Sequence, residues 1–392
     1  MFRRSLRLKV LHVTPYMHPL AGGPPVVVDR MCSHLQALGI ESDILTTDLL
    51  CSSEPSKDFG KWQSAARIKV FPRNVRTGYA FSTALNSYLS EVCDQYDIVH
   101  LHTIWTYLSL AVARNCRKKN IPFVVMPHGM LDPESMKRKS LKKSVYGQLV
   151  EFPLIKSASG MIYTDIEEER LAHVNCSGLP QGFTVPLGAD SQPEDVETLR
   201  RDFFTKQNAL LGKKIVLFLS RLHEKKGLNL LIPAIALIKD PNIVLLIVGS
   251  GEADYEQYLH HLITKFDLQS KIKMTGNLSG SEKWQAMAAA SVFILPSYQE
   301  NFSLVTVDAM AIGLPVILSD KINIAGKIVA AGAGIVCKLE SEDISARIDQ
   351  LLMQPELCKN MSRAGMTLVS ESFTWKKCAE SLLTAYEVII KS

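Results

Sequence analysis

The sequence has no apolar run approaching the length of a membrane-crossing helix, so a bilayer-spanning chain is not expected. Its first nine residues are basic. A short strand ending in His12 and Thr14 follows, with no apolar signal region or cleavage site, so export is not expected either. The eight cysteines (32, 51, 93, 116, 176, 337, 358 and 378) are scattered without close pairing or metal-ligand spacing. That argues against a disulfide framework and for buried thiols in a reducing cytosol. No Asp-x-Asp pair stands at a strand end and no short repeat occurs. Charge of one sign is also scarce: the net charge is +5. This suits anionic small molecules or a membrane surface, and with no nucleic-acid motif present a nucleic-acid partner is excluded.

What is present is apolar content in regular blocks. The hydrophobic share is 47% over 392 residues, too long for one ordinary domain and too apolar for disorder. Strand and helix patterns alternate from residue 8 to about 188, starting with Leu8–Val13 and a helix carrying Val27, Val28, Met31 and Leu35. A polar, charged stretch, 189–212, follows, with the linker expected at its start. The alternation restarts at Lys214–Leu219 and ends in an amphipathic helix near 374–390. The pattern predicts an α/β protein of two doubly wound parallel sheets with a cleft between them, divided as 1–190, 191–372 and a terminal helix 373–392.

The most informative stretch runs from Pro296 to Ile317. A strand (291–295) leads into a polar loop, Tyr298 to Asn301, then an apolar helix stopped by Gly313. A loop outside the carboxyl end of a strand and at a helix N-terminus suits a phosphate. Glu300 and Asp308 flank it, and eight residues at helical rise would separate them by roughly 12 Å. Arg221 and Lys226 follow strand 214–219, where they read either as a pyrophosphate cradle or as a solvated basic loop, with Lys225 an alternative to Lys226. Gly249, Gly251 and Glu252 follow another strand and read equally as a ligand approach or a tight turn. Gly22 and Gly23 occupy the matching place in the first half. His128 ends strand 122–126 and reads as structural or as a sugar contact. His100 and His102 share one strand face; a packed, hydrogen-bonded role is favoured over a metal pair, for which no third ligand suggests itself. The basic run Lys137, Arg138, Lys139, Lys142 and Lys143 is either a solvated face or a patch for anionic lipid.

Taken together these residues resemble the retaining nucleotide-sugar glycosyltransferases of family 4, which have the two-domain Rossmann-like GT-B fold. The family pattern of an acid, seven residues, an acid and Ala-Met-Ala-x-Gly-x-Pro-Val is matched by Glu300, Asp308 and residues 309–316. The segment Pro127 to Pro133 is most similar to members that build bacterial exopolysaccharide or surface polysaccharide. The resemblance implies that Glu300 contacts hydroxyls of the donor sugar and Asp308 the ribose. It gives the diphosphate to Arg221 and Lys226, aided by Gly22, Gly23 and backbone N–H groups near Asn301, Phe302, Ser303 and Leu304. Gly249, Gly251 and Glu252 belong to the same donor site, Gly276, Asn277 and Leu278 lie against the base, and His128 lies near the anomeric carbon. The terminal helix crosses back onto the first domain. Two positions depart from the pattern: Asp308 is one methylene shorter than the usual Glu, and Ser303 stands where relatives often have Gly.

The implied chemistry is sugar transfer from a UDP- or GDP-sugar to a saccharide or lipid-linked saccharide in the cytoplasm; the basic run adds the expectation of peripheral contact with the inner face of the cell membrane. Configuration is retained by a front-face route, with no metal and no cofactor. The competing readings are a nucleotide-sugar 2-epimerase of the same architecture, a phosphorylase-like enzyme, a solute-binding protein and a non-catalytic homologue.

Overall fold

The computed structural model describes residues 8–18, 21–51, 62, 64–137, 145–190, 194–278 and 280–392. The chain forms two compact units, Met1–Leu187 with Trp375–Ser392, and Gly188–Thr374. In the first, seven parallel strands are ordered β3-β2-β1-β4-β5-β6-β7: β1 Lys9–Val13, β2 Glu41–Thr47, β3 Ile68–Phe71, β4 Ile98–His102, β5 Phe123–Met126, β6 Gly160–Tyr163 and β7 Gly182–Thr184. In the second, six are ordered β10-β9-β8-β11-β12-β13: β8 Lys214–Leu219, β9 Ile243–Val248, β10 Ile272–Met274, β11 Val292–Leu295, β12 Val316–Ser319 and β13 Gly334–Cys337. Central strands are covered on both faces, so they are written as continuous apolar runs; all six residues of β9 are buried. Strand order reverses between β1 and β4 in one sheet and between β8 and β11 in the other. These reversals leave a crevice at the strand ends, because the two neighbouring crossovers leave in opposite directions.

The last helix, Trp375–Lys391, belongs to the first unit. It buries Trp375, Cys378, Ala379, Leu382, Ala385, Tyr386 and Ile389, an i, i+3, i+4, i+7 stripe. The stripe packs on helix Gly23–Ala37, and Trp375 sits 6.4 Å from the ring of His34. Burying one such large side chain contributes about 2–3 kcal/mol, so the stripe anchors the chain end firmly.

The structure gives three stretches more detail. Within the polar stretch after residue 189, Val196–Lys206 is a helix, capped by Asp195 accepting from Thr198 N at 3.0 Å. Only Leu199 and Phe203 are buried on it, which is why its composition is so polar. The helix after Glu300 begins only at Leu304, with Ser303 left-handed at φ 63°. Just four helical steps, about 6 Å of rise, therefore separate Leu304 from Asp308, so helical rise does not set the Glu300–Asp308 separation. The basic segment holds a short helix, Pro133–Lys137, and resumes as a π-helical turn, Gly147–Glu151, continued by Phe152–Lys156. The intervening charges, Arg138, Lys139, Lys142 and Lys143, lie outside the described residues, as does most of the 48–66 loop. None of the described helices is long and apolar enough to cross a membrane.

Candidate active site

In the second unit the loops after β8, β9, β10 and β11 converge. Gly227 has φ 75°, and a Cβ there would lie 2.0 Å from the Pro296 carbonyl oxygen, so the β8 and β11 loops touch backbone to backbone. Gly249 has φ 141°, and its Cβ would lie 1.9 Å from Ser220 O. A side chain at either place would wedge the loops apart. Gly251 bridges Leu222 in parallel, Gly249 N donates to Gly276 O at 2.9 Å, and Asn277 Nδ2 donates to Ser250 Oγ at 2.6 Å. Leu278 follows, half-buried, in the same loop. Glu252 caps helix Ala253–Lys265 by backbone alone, while Gly251 N donates to Glu256 at 2.7 Å.

This backbone presents a cluster of charge. Lys226 and Glu300, 74 residues apart, form an ion pair, with side chains only 16% and 20% exposed. Lys225 turns elsewhere, donating to Gln299 Oε1 at 2.7 Å. That separates the two lysines the sequence leaves equivalent. Arg221, just past β8, is exposed and has no ion-pair partner among the described residues. Glu300 is held by its backbone: its N donates to Lys321 O at 3.2 Å and its O accepts from Asn323 N at 3.1 Å. Asn301 Oδ1 accepts from Asn323 Nδ2 at 3.1 Å. Phe302 is buried edge-on against Phe373, 5.5 Å between centroids, and fixes the loop that opens helix Leu304–Ala311. Ser303 Oγ lies 2.7 Å from Thr306 Oγ1. The first N–H groups of that helix lack intrahelical acceptors and face the strand ends.

Asp308 is buried deeper. Its Oδ2 pairs with Lys283 Nζ at 2.9 Å, and its Oδ1 accepts from Asp190 N at 2.9 Å. Burial raises its pKa, and the Lys283 charge opposes that rise. Lys283, on helix Ser281–Ala289, is a residue the sequence reading missed. Its pairing spans 25 residues and leaves no motif.

In the first unit Gly22 and Gly23 are exposed at the start of helix Gly23–Ala37, after β1. Gly22 has φ 87°, and nothing lies within 4 Å of a Cβ at either glycine, so the requirement there is conformational rather than steric. His128, two residues past β5, is in the left-handed region at φ 52° and half-buried. The turn is tied down by Glu168, which accepts from Gly129 N at 2.6 Å and from Thr164 N at 2.7 Å. Thr103 and Trp105, after β4, are also left-handed, both at φ 67°. Such strained non-glycine positions gather at functional edges. The missing third imidazole exists: His12 from β1 pairs in register with His100, and its Nδ1 is 2.9 Å from His102 Nε2. The sequence signal was available, because β1 and β4 adjoin in a doubly wound sheet. Burial lowers the pKa of His12 to about 3 and of His128 to about 4, and drives His100 and His102 well below the usual value. All four rings are therefore neutral at physiological pH.

Two Rossmann-like parallel-sheet units, of seven and six strands, are the GT-B fold of the similar solved structures. The chain belongs to the family-4 glycosyltransferases: residues 200–367 match the model for glycosyl transferases group 1, and residues 21–169 that for Glycosyltransferase Family 4. It is 25% identical over 418 residues to D-inositol 3-phosphate glycosyltransferase of Nocardia farcinica, covering 99% of this chain and 90% of that protein. Among solved structures it is similar to HepE of Anabaena in complex with UDP and glucose (TM-score 0.77, 20% identity, 97% of this chain and 100% of that one). It is equally similar to sucrose-phosphate synthase of Thermosynechococcus elongatus (TM-score 0.76, 20% identity, 98% and 100%).

Proposed function

We propose that this glycosyltransferase moves a sugar from a nucleoside diphosphate sugar to a hydroxyl of a saccharide or lipid-linked saccharide in polysaccharide biosynthesis. In this reading configuration is retained and no metal or cofactor takes part. The observation that carries it is the largely buried Lys226–Glu300 pair at the β8/β11 reversal, with Arg221 in the same β8 loop and without an ion-pair partner among the described residues. The solved structure of HepE with UDP and glucose supports a nucleotide-sugar donor.

The geometry suggests how the groups work. Without ligand, Glu300 occupies the cation that a diphosphate would take. An incoming diphosphate exchanges with it: Lys226 and Arg221 turn to phosphate oxygens, and Glu300 is released to accept hydrogen bonds from the donor sugar. The free N–H groups at Leu304 add a dipole contact. As the bond from the anomeric carbon to the diphosphate breaks, negative charge grows on the leaving oxygen, and the two cations stabilise it without reorganisation. The acceptor oxygen bonds to the anomeric carbon from the same face, and its proton passes to a donor phosphate oxygen. Among the groups of the first unit, His128 is assigned to the donor sugar and the Gly22–Gly23 backbone to the diphosphate. Asp308 is assigned to the ribose and the 276–278 loop to the base. The basic run 137–143 is assigned to anionic lipid bearing the acceptor.

The test is calorimetry against UDP, GDP and ADP, followed by incubation of the matching labelled donor with saccharide and lipid-linked acceptors. Binding of one nucleotide and label transfer are expected. Conversion of the donor to its epimer without acceptor, or binding of none of the three, would overturn the proposal.

A further inference from the structure

Three imidazoles stand in line in the first unit. His12 Nδ1 lies 2.9 Å from His102 Nε2, and His102 Nδ1 lies 3.2 Å from His128 Nε2. His12 and His102 are fully buried, and His128 is half-buried at the strand end. His100 stacks on His102, centroids 4.0 Å apart at 25°, and its Nδ1 contacts the Tyr386 hydroxyl at 2.6 Å instead of joining the line. His12 Nε2 is buried and has no hydrogen-bond partner among the described residues.

The ligating atoms of His12, His100 and His102 come within 4.8 Å of one another, which raises a metal site as the rival reading. The geometry does not favour it. Tetrahedral zinc with bonds near 2.0–2.1 Å sets ligand nitrogens about 3.3 Å apart and needs its rings to converge. Here the nearest pair is at hydrogen-bond distance, two rings are stacked face to face, and both nitrogens of His102 are already engaged. No carboxylate belongs to the trio to offset a buried double charge.

A line of neutral imidazoles has only two self-consistent proton arrangements. Each contact needs one N–H and one lone pair, so fixing one ring fixes all three. In one arrangement His12 Nε2 carries the proton and becomes a buried donor with no acceptor. In the other it carries only a lone pair. Orphaned buried N–H groups are rarer than under-used acceptors, so the second arrangement is the stable one. His12 Nδ1–H then donates to His102 Nε2, and His102 Nδ1–H donates to His128 Nε2.

We infer that His12 and His102 are positioning residues that hold His128 in its Nδ1–H tautomer, so that the atom left to face a ligand is a hydrogen-bond donor. Glu168 fixes the same residue through its backbone, at Gly129 N. His128 thus offers an N–H to an oxygen of the donor sugar or its phosphate, and cannot act as a base through Nδ1. The donor-facing role rests on the proposed function; the tautomer does not.

The experiment is long-range proton–nitrogen NMR of the full ligand-free chain labelled with 15N-histidine, with His128→Gln used to assign the signal. The expected spectrum shows His128 protonated at Nδ1 and bare at Nε2, unchanged from pH 6 to 8. In His102→Asn the amide nitrogen replaces Nδ1 and the His128 pattern persists. In His102→Leu it becomes a mixture, and kcat/KM falls about five- to tenfold. A wild-type spectrum with His128 protonated at Nε2, or one equivalent of zinc in the purified protein, overturns the inference even if no variant folds. The expected tautomer with undiminished transfer by His128→Gln would instead count against the sugar-facing role alone.

Discussion

Replacing Lys226 by Ala removes one cation from a place where two side chains are four-fifths buried. In the ligand-free protein the loss leaves the Glu300 carboxylate without its counter-ion. Stranding a buried charged acceptor costs roughly 1–3 kcal/mol, and the remaining exposure of Glu300 puts this site near the lower figure. For a unit of this size, about 1 kcal/mol moves the melting point by about 2–4 °C, so the variant should fold. Catalysis should suffer more. The leaving diphosphate loses one of two fixed cations, and removing one preorganised stabilising group costs about 10²–10³-fold in kcat. Arg221 remains, so a residual rate is expected. The assay is label transfer at saturating donor, alongside calorimetry with the bound nucleotide. A double-mutant comparison with Glu300→Gln adds a check: the stability cost of Lys226→Ala should shrink once Glu300 is neutral, because no charge is left stranded. A kcat within twofold of wild type would refute the reasoning. A raised donor KM with unchanged kcat would make Lys226 a uniform binding group and not a stabiliser of the departing charge.

Two further outcomes are expected elsewhere. Burial pushes Glu151 up to about 7, against a hydrogen bond donated by Ser109 Oγ at 2.6 Å. A raised carboxyl pKa stabilises the fold below its unfolded value of 4.5, and that stability is lost as pH rises through about 7. Denaturant unfolding between pH 4.5 and 8.5 should therefore show wild type losing about 3 kcal/mol more than Glu151→Gln, and parallel curves would refute this. Reversing the charges of Lys137, Arg138 and Lys139 should weaken sedimentation with vesicles containing anionic lipid and slow transfer to a lipid-linked acceptor. If both survive, the basic run is an ordinary solvated face.

The fold was legible because its strands are written in a code that burial imposes. A strand covered on both faces must be apolar throughout, as β9 is, and the glycines after β8 and β9 mark places where backbone meets backbone. Most candidate residues of the second unit were legible for the same reason, since they lie in the loops that follow β8, β9, β10 and β11. What the sequence hid is pairing at a distance. Lys226 finds Glu300 across 74 residues and Lys283 finds Asp308 across 25, and neither pairing has a local period. The third imidazole was hidden only until strand order was known, since His12 and His100 are register partners.

Asp308 shows what that long-range pairing changes. As a sequence feature it is an acid one methylene shorter than the family's usual Glu. In the fold its length is matched to two partners at 2.9 Å each, the Lys283 ammonium and the Asp190 backbone N–H. A Glu would carry its carboxylate a methylene further into a site that is 6% exposed, where overpacking costs about 1–3 kcal/mol. The two acids of the motif are thus alike in a way their sequence conceals: each is held by a lysine when no ligand is present. A carboxylate has about four acceptor positions, and Asp308 uses two of them, so a ribose hydroxyl can be taken without first displacing Lys283. Glu300 differs, because its lysine is also the cation proposed for the diphosphate. On this account donor binding rearranges the Glu300 end of the motif and leaves the Asp308 end as a fixed support. The shorter acid at 308 is then a fit to its own neighbours and not a defect in the donor site.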